Sequence, residues 1–309
     1  GTKYTIDFDN TVTGVNSGEI DGSGFVSSPS TGDIDCDGFI ATGLSDGDGE
    51  FGTDKTTGDF ARGTDNASPH NGVGTGGIYA FEVGSGDYAL GVQPAGSDFT
   101  SGAFILKLAN NSGSTIYAIN VSYKVYVYND QGRANTFNFS HSSDNSTYTS
   151  ISGLDLTSTA AAGGSPSWSA TSKSTTISTS ITDGSNYFLK WTGDDDSGSG
   201  SRDEFALDDI VIYTSGGTVI AGNAGFRMMS SPVEGTVYDD ILGPLWIQGM
   251  TNGDVTTGTA NVWTYDASTP EWSALSNLNT ASLTAGQGYL VYVFTDVDND
   301  GDDDLPVAL

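Results

Sequence analysis

Basic and nucleophilic groups are scarce in this chain. Its 309 residues include one cysteine, Cys36, two histidines, His70 and His141, and ten Lys or Arg against 39 Asp or Glu, for a formal net charge of -29. A lone thiol excludes an intramolecular disulfide, so stability must come from burial, hydrogen bonds and bound ions. The shortage of positive charge excludes a sequence-independent grip on nucleic-acid phosphates or on anionic lipid, because both run on Lys and Arg. No apolar run approaches the roughly 18 residues that a membrane-spanning helix needs. Neither histidine stands in an H-E-x-x-H spacing, and there is no P-loop, strand–helix unit built on G-x-G-x-x-G, or Cys/His zinc cluster. Two carboxylates suffice for a glycosidase, but nothing in the sequence singles out such a pair. The expectation is a protein that is not an enzyme and has no catalytic residues.

What is abundant points to β structure. Of the acids, 33 are Asp and 6 are Glu, and Asp favours turns, caps and metal loops where Glu favours helices. With 43 Gly and roughly a quarter Ser or Thr, the chain reads as short strands joined by many turns. Such a composition, with six Lys, is common among exported bacterial surface proteins and implies an extracellular or outer-surface location. Adaptation to high salt is a rival explanation, although halophilic surfaces draw on Glu as well as Asp.

Period-two alternation appears first at Lys3–Asp9, where Tyr4, Ile6 and Phe8 alternate with polar neighbours. From Asn10 to Gly77 few regular elements are expected. Strand signals follow at Ile78–Val83, Tyr88–Val92, Ala103–Ala109 and Ile116–Tyr128, the last with Tyr123, Val125 and Val127 on one face and Lys124, Tyr126 and Tyr128 on the other. Residues 158 to 174, small and polar around Trp168, predict a long surface loop. Strands at 175–181, 187–191 and 205–213 close a jelly-roll-like β-sandwich over residues 1–214, followed by a linker at 215–222 and a small β-sandwich domain at 223–309. In the second part only the stretch near Val237–Leu242 invites a helix. Its apolar end, Leu305–Leu309, can pair within the domain, with a continuation of the chain, or with another molecule.

The densest chemical signal is Asp296-Val297-Asp298-Asn299-Asp300-Gly301-Asp302-Asp303-Asp304. Calcium takes six to eight oxygens, and carboxylates at alternate positions fold around one ion where glycine permits the sharp turn. Six carboxylates in nine residues repel one another without a cation. A solvated acidic turn is the alternative. The run resembles the calcium loops of thrombospondin type 3 repeats and dockerins. On that resemblance Asp296, Asp298 and Asp300 supply side-chain oxygens, Asp302 a backbone carbonyl and Asp304 the closing carboxylate. Asp33–Gly38 is a weaker match, since Ile34 and Cys36 equally fit the buried face of a strand, and Asp46–Glu50 reads as a turn.

Asp7-Phe8-Asp9 near the start and Ala206-Leu207-Asp208-Asp209-Ile210 in a late strand resemble the MAM and galactose-binding-like jelly rolls of extracellular proteins. More closely, Tyr128–Arg133, Trp191–Asp195 and Gly198–Phe205 resemble a module of large secreted bacterial surface proteins that often carry a C-terminal sorting domain, and Gly225–Pro232 resembles a companion module. No sorting domain is visible in this sequence. The resemblance implies a cation shared by the first and last strands, at Asp9 and Asp209. Arg133 and Arg202, two of only four arginines, stand beside acids and read as loop-fixing ion pairs. Tyr126, Tyr128 and Trp168 are candidate ligand-binding rings, since sugar faces stack on flat aromatic surfaces; the alternative is that the tyrosines cover the second sheet of the sandwich. The sequence thus predicts a calcium-stabilised structural or adhesive surface protein, self-assembling through strand pairing between copies. The alternative is a carbohydrate-binding module recognising extracellular glycans.

Overall fold

In the computed structural model the described residues are 3–309 apart from 68–69, 215–218, 221, 231–234, 236, 298, 300, 302, 304, 306 and 309. The chain divides into two compact units, Gly1–Thr214 and Ser215–Leu309. The architecture is all-β.

The first unit opens with β1 (Lys3–Ile6), then the short β2 (Phe25–Val26), β3 (Ile34–Asp35), β4 (Phe39–Thr42) and β5 (Thr64–Asp65). Longer strands follow: β6 (Gly77–Gly84), β7 (Asp87–Gln93), β8 (Gly102–Ala109), β9 (Ile116–Tyr128) and β10 (Arg133–Ser142). After the short β11 (Thr149–Ser150) and β12 (Leu156–Thr157) come β13 (Trp168–Ile181), β14 (Asn186–Gly198) and β15 (Glu204–Thr214). One sheet runs β13-β9-β15-β7-β6-β5 with β1 also on β15; the other runs β11-β10-β14-β8-β4 with β12 on β10. Their inner faces make one core, in which Val121, Tyr123, Val125, Phe205 and Leu207 of the first sheet meet Phe104, Phe137, Phe139, Leu189 and Trp191 of the second. Phe137 stacks on Phe205 at 5.6 Å across the two sheets, and Trp191 stacks on Phe39 at 6.3 Å while meeting the edge of Tyr123 at 5.4 Å. Each such buried side chain stabilises the unit by about 1.5–3 kcal/mol, with roughly 0.5–1.5 kcal/mol more for a well-placed aromatic pair.

Residues 10 to 77 carry only short strands and one 3-10 turn, Gly58–Phe60, yet they insert Val15, Ile20, Phe25, Phe39 and Phe60 into that core. The loop expected at 158–174 is corrected over its second half. Residues 168–174 belong to β13, which pairs with β9 from Trp168↔Tyr128 to Ile181↔Ile116. Its Ser/Thr-rich sequence carries little apolar alternation because the strand is held mainly by the backbone ladder of its neighbour, and composition does not register that pairing.

In the second unit β16 (Val219–Ile220) precedes β17 (Gly225–Ser230), a one-turn helix α1 (Asp239–Leu242), β18 (Val262–Asp266), β19 (Glu271–Ala274), β20 (Gly288–Val293) and β21 (Val307–Ala308). Four strands form a sheet in the order β17-β20-β18-β19. One face of it buries Val262, Tyr289, Val291 and Val293 against Leu242, Ile247 and Leu283. The apolar end of the chain pairs within its own unit, β21 antiparallel to β16. Among the described residues no helix is long and apolar enough to cross a membrane.

Candidate ligand and cation sites

Along one side of β15 two strands share the ladder. β7 pairs with Phe205–Leu207, β1 with Ile210–Tyr213, and Asp208 and Asp209 fall in the gap between them. The register against β9 shifts at the same place, and Asp209 takes a left-handed conformation with φ of 47°. That bulge turns consecutive carboxylates apart. Asp209 reaches Lys124, whose Nζ lies 2.6 Å from its Oδ2. Asp208 is 1% exposed, and neither of its oxygens has a hydrogen-bond partner. Burial, with Asp209, Asp87 and Asp9 nearby, pushes its carboxyl up to about 8. Asp9 accepts the Tyr88 amide at 2.9 Å. The sequence reading placed a shared cation at Asp9 and Asp209; the structure gives Asp209 a lysine partner and leaves Asp208 as the carboxylate without one.

The candidate rings Tyr126, Tyr128 and Trp168 lie together on the outer face of the larger sheet, with Tyr79 and Phe81. They are not open platforms: Tyr126 and Tyr128 are buried and Trp168 is half-buried. Residues 70–76 cross over them, and the His70 ring is the group that meets their faces. It lies 5.0 Å from Trp168 at an interplanar angle of 30° and edge-on to Tyr128 at 4.3 Å. Beneath it stands Glu204, 0% exposed and pushed up to about 8 by burial and by the neighbouring Asp130.

Arg133 and Arg202 converge on one acid, Asp195, with Arg202 bonding both carboxylate oxygens, at 2.6 and 2.7 Å. The hydrogen bonds from both guanidiniums hold the Asp195 carboxyl below the usual range. The acids adjacent in sequence, Asp130, Asp203 and Glu204, are not their partners. Asp33–Gly38 has Ile34 and Cys36 buried in the core, as the strand alternative requires. Of the acidic run near the end, Asp298, Asp300, Asp302 and Asp304 lie outside the described residues; the Asp296 carboxylate accepts the Gly301 amide at 3.0 Å. Among the described residues no three His, Cys, Asp or Glu side chains are placed to hold a metal ion as they stand. His141 meets the Tyr187 hydroxyl through Nδ1 at 2.6 Å.

A feature the sequence reading did not single out lies in the second unit. The face of its four-stranded sheet opposite the core is apolar as well. Cross-strand register puts Phe226 beside Tyr292, Met228 beside Leu290, Leu290 beside Trp263, Tyr265 beside Trp272 and Trp263 beside Ala274. These residues therefore share one face. Phe226 is 58% exposed, Met228 74%, Trp272 43% and Tyr265 37%. Ring contacts of 5.1–5.7 Å join Phe226 to Trp263 and Tyr292, and Tyr265 to Trp272. No charged side chain stands among the paired positions from Phe226↔Tyr292 to Tyr265↔Trp272. The readable signal was that strands such as Gly288–Phe294 are apolar at every position, so both faces of this sheet had to be greasy.

No family model matches the sequence, and no curated protein matches it. Solved structures similar to it include the CBM22-1–GH10 modules of Clostridium thermocellum endo-1,4-beta-D-xylanase 10B complexed with xylohexaose, at 16% identity and a TM-score of 0.30, covering 69% of this chain and 30% of that one. A structure described as CBM4 is 15% identical, with a TM-score of 0.31, over 58% of this chain and 96% of that chain. The K3 cleaved adhesin domain of Lys-gingipain from Porphyromonas gingivalis is 16% identical, with a TM-score of 0.26, over 42% of this chain and 75% of that chain. At such scores no residue role carries over from them.

Proposed function

We propose that this chain is a non-catalytic, extracellular glycan-binding surface protein that takes a neutral polysaccharide on the aromatic face of its second unit. The observation that carries the reading is the uncovered row of Phe226, Tyr292, Trp263, Tyr265 and Trp272 on one sheet face. A soluble protein rarely leaves a contiguous apolar patch of this kind without a partner. Aromatic rings suit the C–H faces of pyranose rings, while indole N–H and phenol O–H groups serve the hydroxyls at their rims. A charge of -29 disfavours anionic glycans and leaves neutral ones.

Calcium enters as a structural ion at the β1–β7–β15 junction. What supports it is Asp208, buried with two unpartnered oxygens beside Asp9 and Asp87, because a carboxylate in that setting must be neutralised or ligated. The ion would draw those side chains around itself.

The test is a panel of insoluble and soluble polysaccharides with wild type, Trp272→Ala and Trp263→Ala. Saturable binding to a neutral polysaccharide, weakened at least tenfold in either variant, is the expected result. Unaltered binding in both, or no binding to any glycan, would refute the assignment. Concentration-dependent dimerisation lost in Phe226→Ser would instead identify a second copy as the occupant and return the structural or adhesive reading to the front.

A further inference from the structure

Residues 70–76 form a strap without regular secondary structure across the outer face of the larger sheet of the first unit, with Asn71, Gly74 and Thr75 exposed. Few bonds seat it. The Val73 amide donates to Glu204 Oε1 at 2.6 Å, the Tyr128 hydroxyl donates to the His70 carbonyl at 2.6 Å, and the Tyr79 hydroxyl donates to the Thr75 carbonyl at 2.8 Å. The His70 side chain is 5% exposed and plugs the space between Trp168, Tyr128 and Phe81. Gly72 has φ of 81°, and a Cβ there would run into the Asp130 carboxylate, so the strap is fitted closely over that acid.

The floor under the strap is acidic, and among the described residues no Lys or Arg is paired with it. Glu204 and Asp203 are 0% exposed, and Glu204 Oε2, Asp203 Oδ2 and Asp130 Oδ1 are buried without hydrogen-bond partners. Asp130 stands beside Glu204, and its charge adds to the rise of the Glu204 carboxyl. Arg133 and Arg202 are taken by Asp195, and Arg62 by Asp59 and, through Nε at 2.8 Å, by the Gly76 carbonyl of the strap. The titratable groups that face Glu204 are Asp130 from the end of β9, Asp203 from its own segment, the Tyr79 and Tyr128 phenols, and His70, whose Nε2 lies 3.9 Å away while its Nδ1 lies 3.6 Å from Asp65. A carboxylate buried beside another acid is held in its protonated form.

We propose that residues 70–76 are a proton-held cover: with the buried Glu204 protonated the strap stays seated, and loss of that proton lifts it off Tyr128, Trp168 and Phe81. The direction follows from linkage. Glu204 is raised when the strap is closed and ordinary when it is open, so support for the closed form is whole below the ordinary Glu range, is lost progressively as pH rises from there to about 8, and is gone above it. Burial lowers His70, so its protonation belongs to a separate window on the acid side of 6.5. Tyr79 and Tyr128 are raised by burial and stay neutral through both windows.

The measurement is amide hydrogen exchange of Val73 between pH 6.5 and 9.5, corrected for the intrinsic rate. Protection in wild type should fall by about tenfold per pH unit from pH 6.5 to about 8, the slope for release of one proton on opening, and then level off. Glu204→Gln, which cannot ionise but still accepts the Val73 amide, should hold it level throughout. Asp130→Asn, which removes the repelling charge, should bring the levelling-off to lower pH and serves if the glutamine variant fails to fold. Constant protection in wild type, an unshifted levelling-off in Asp130→Asn, or the same loss in Glu204→Gln overturns the proposal. So does abolition of the transition by millimolar calcium, which would make a cation the holder of the strap.

Discussion

Lys124 Nζ lies 2.6 Å from Asp209 Oδ2, while Asp208, one residue earlier on the same strand, is buried without a partner. A bulge converts two adjacent acids into opposite electrostatic situations. One forms a surface ion pair, worth at most about 1 kcal/mol at 40% exposure of both side chains. The other needs a proton or a cation.

For Asp208, millimolar calcium should raise the melting temperature through ligand linkage, about 2.7 kcal/mol at a hundredfold excess over the dissociation constant. Asp208→Asn should abolish most of that rise, and Asp209→Asn should leave it. Differential scanning calorimetry with and without chelator checks this; an identical calcium response in wild type and Asp208→Asn would reject the ion at the junction.

Trp191 is fully buried where Phe39, Tyr123 and Phe139 meet. Replacing it by alanine removes a large ring from a packed centre, so urea titration of the first unit's transition should show a loss of about 3–5 kcal/mol. Tyr4→Ala, at an exposed position of β1, should stay within about 0.5 kcal/mol.

Asp195 joins Arg133 on β10 to Arg202 just before β15. Its folded carboxyl is lowered by the two guanidiniums, so this contribution is present above the ordinary Asp range and is lost as pH falls below it. Asp195→Asn should destabilise by about 1–2 kcal/mol near pH 7, discounted for partial exposure, and the difference from wild type should shrink towards pH 2. A gap that stays constant from pH 7 to 2 would contradict this account.

Much of the fold was legible because period-two alternation reports a strand without knowledge of its partner. β9 shows it plainly: Tyr123, Val125 and Val127 were assigned to one face and Tyr126 and Tyr128 to the other, and the core takes the first set. Trp168 was missed as a strand residue because its Ser/Thr-rich strand is stabilised by backbone pairing to β9. The tyrosines were read as stacking rings or as a cover for the second sheet; they lie instead on the outer face, where the chain from 70 to 76, remote in sequence, covers them.

By itself the sequence determined the all-β class, through Asp, Gly, Ser and Thr that favour turns and apolar residues at every second position. It also excluded binding that needs a basic surface, since ten cations among 39 acids cannot supply one. Only the tertiary structure decided which of two neighbouring aspartates goes without a partner, which aromatic face is covered and which stands open. Those outcomes depend on strands paired across a hundred residues, and a ladder's register and the loop that crosses it leave no trace in local composition.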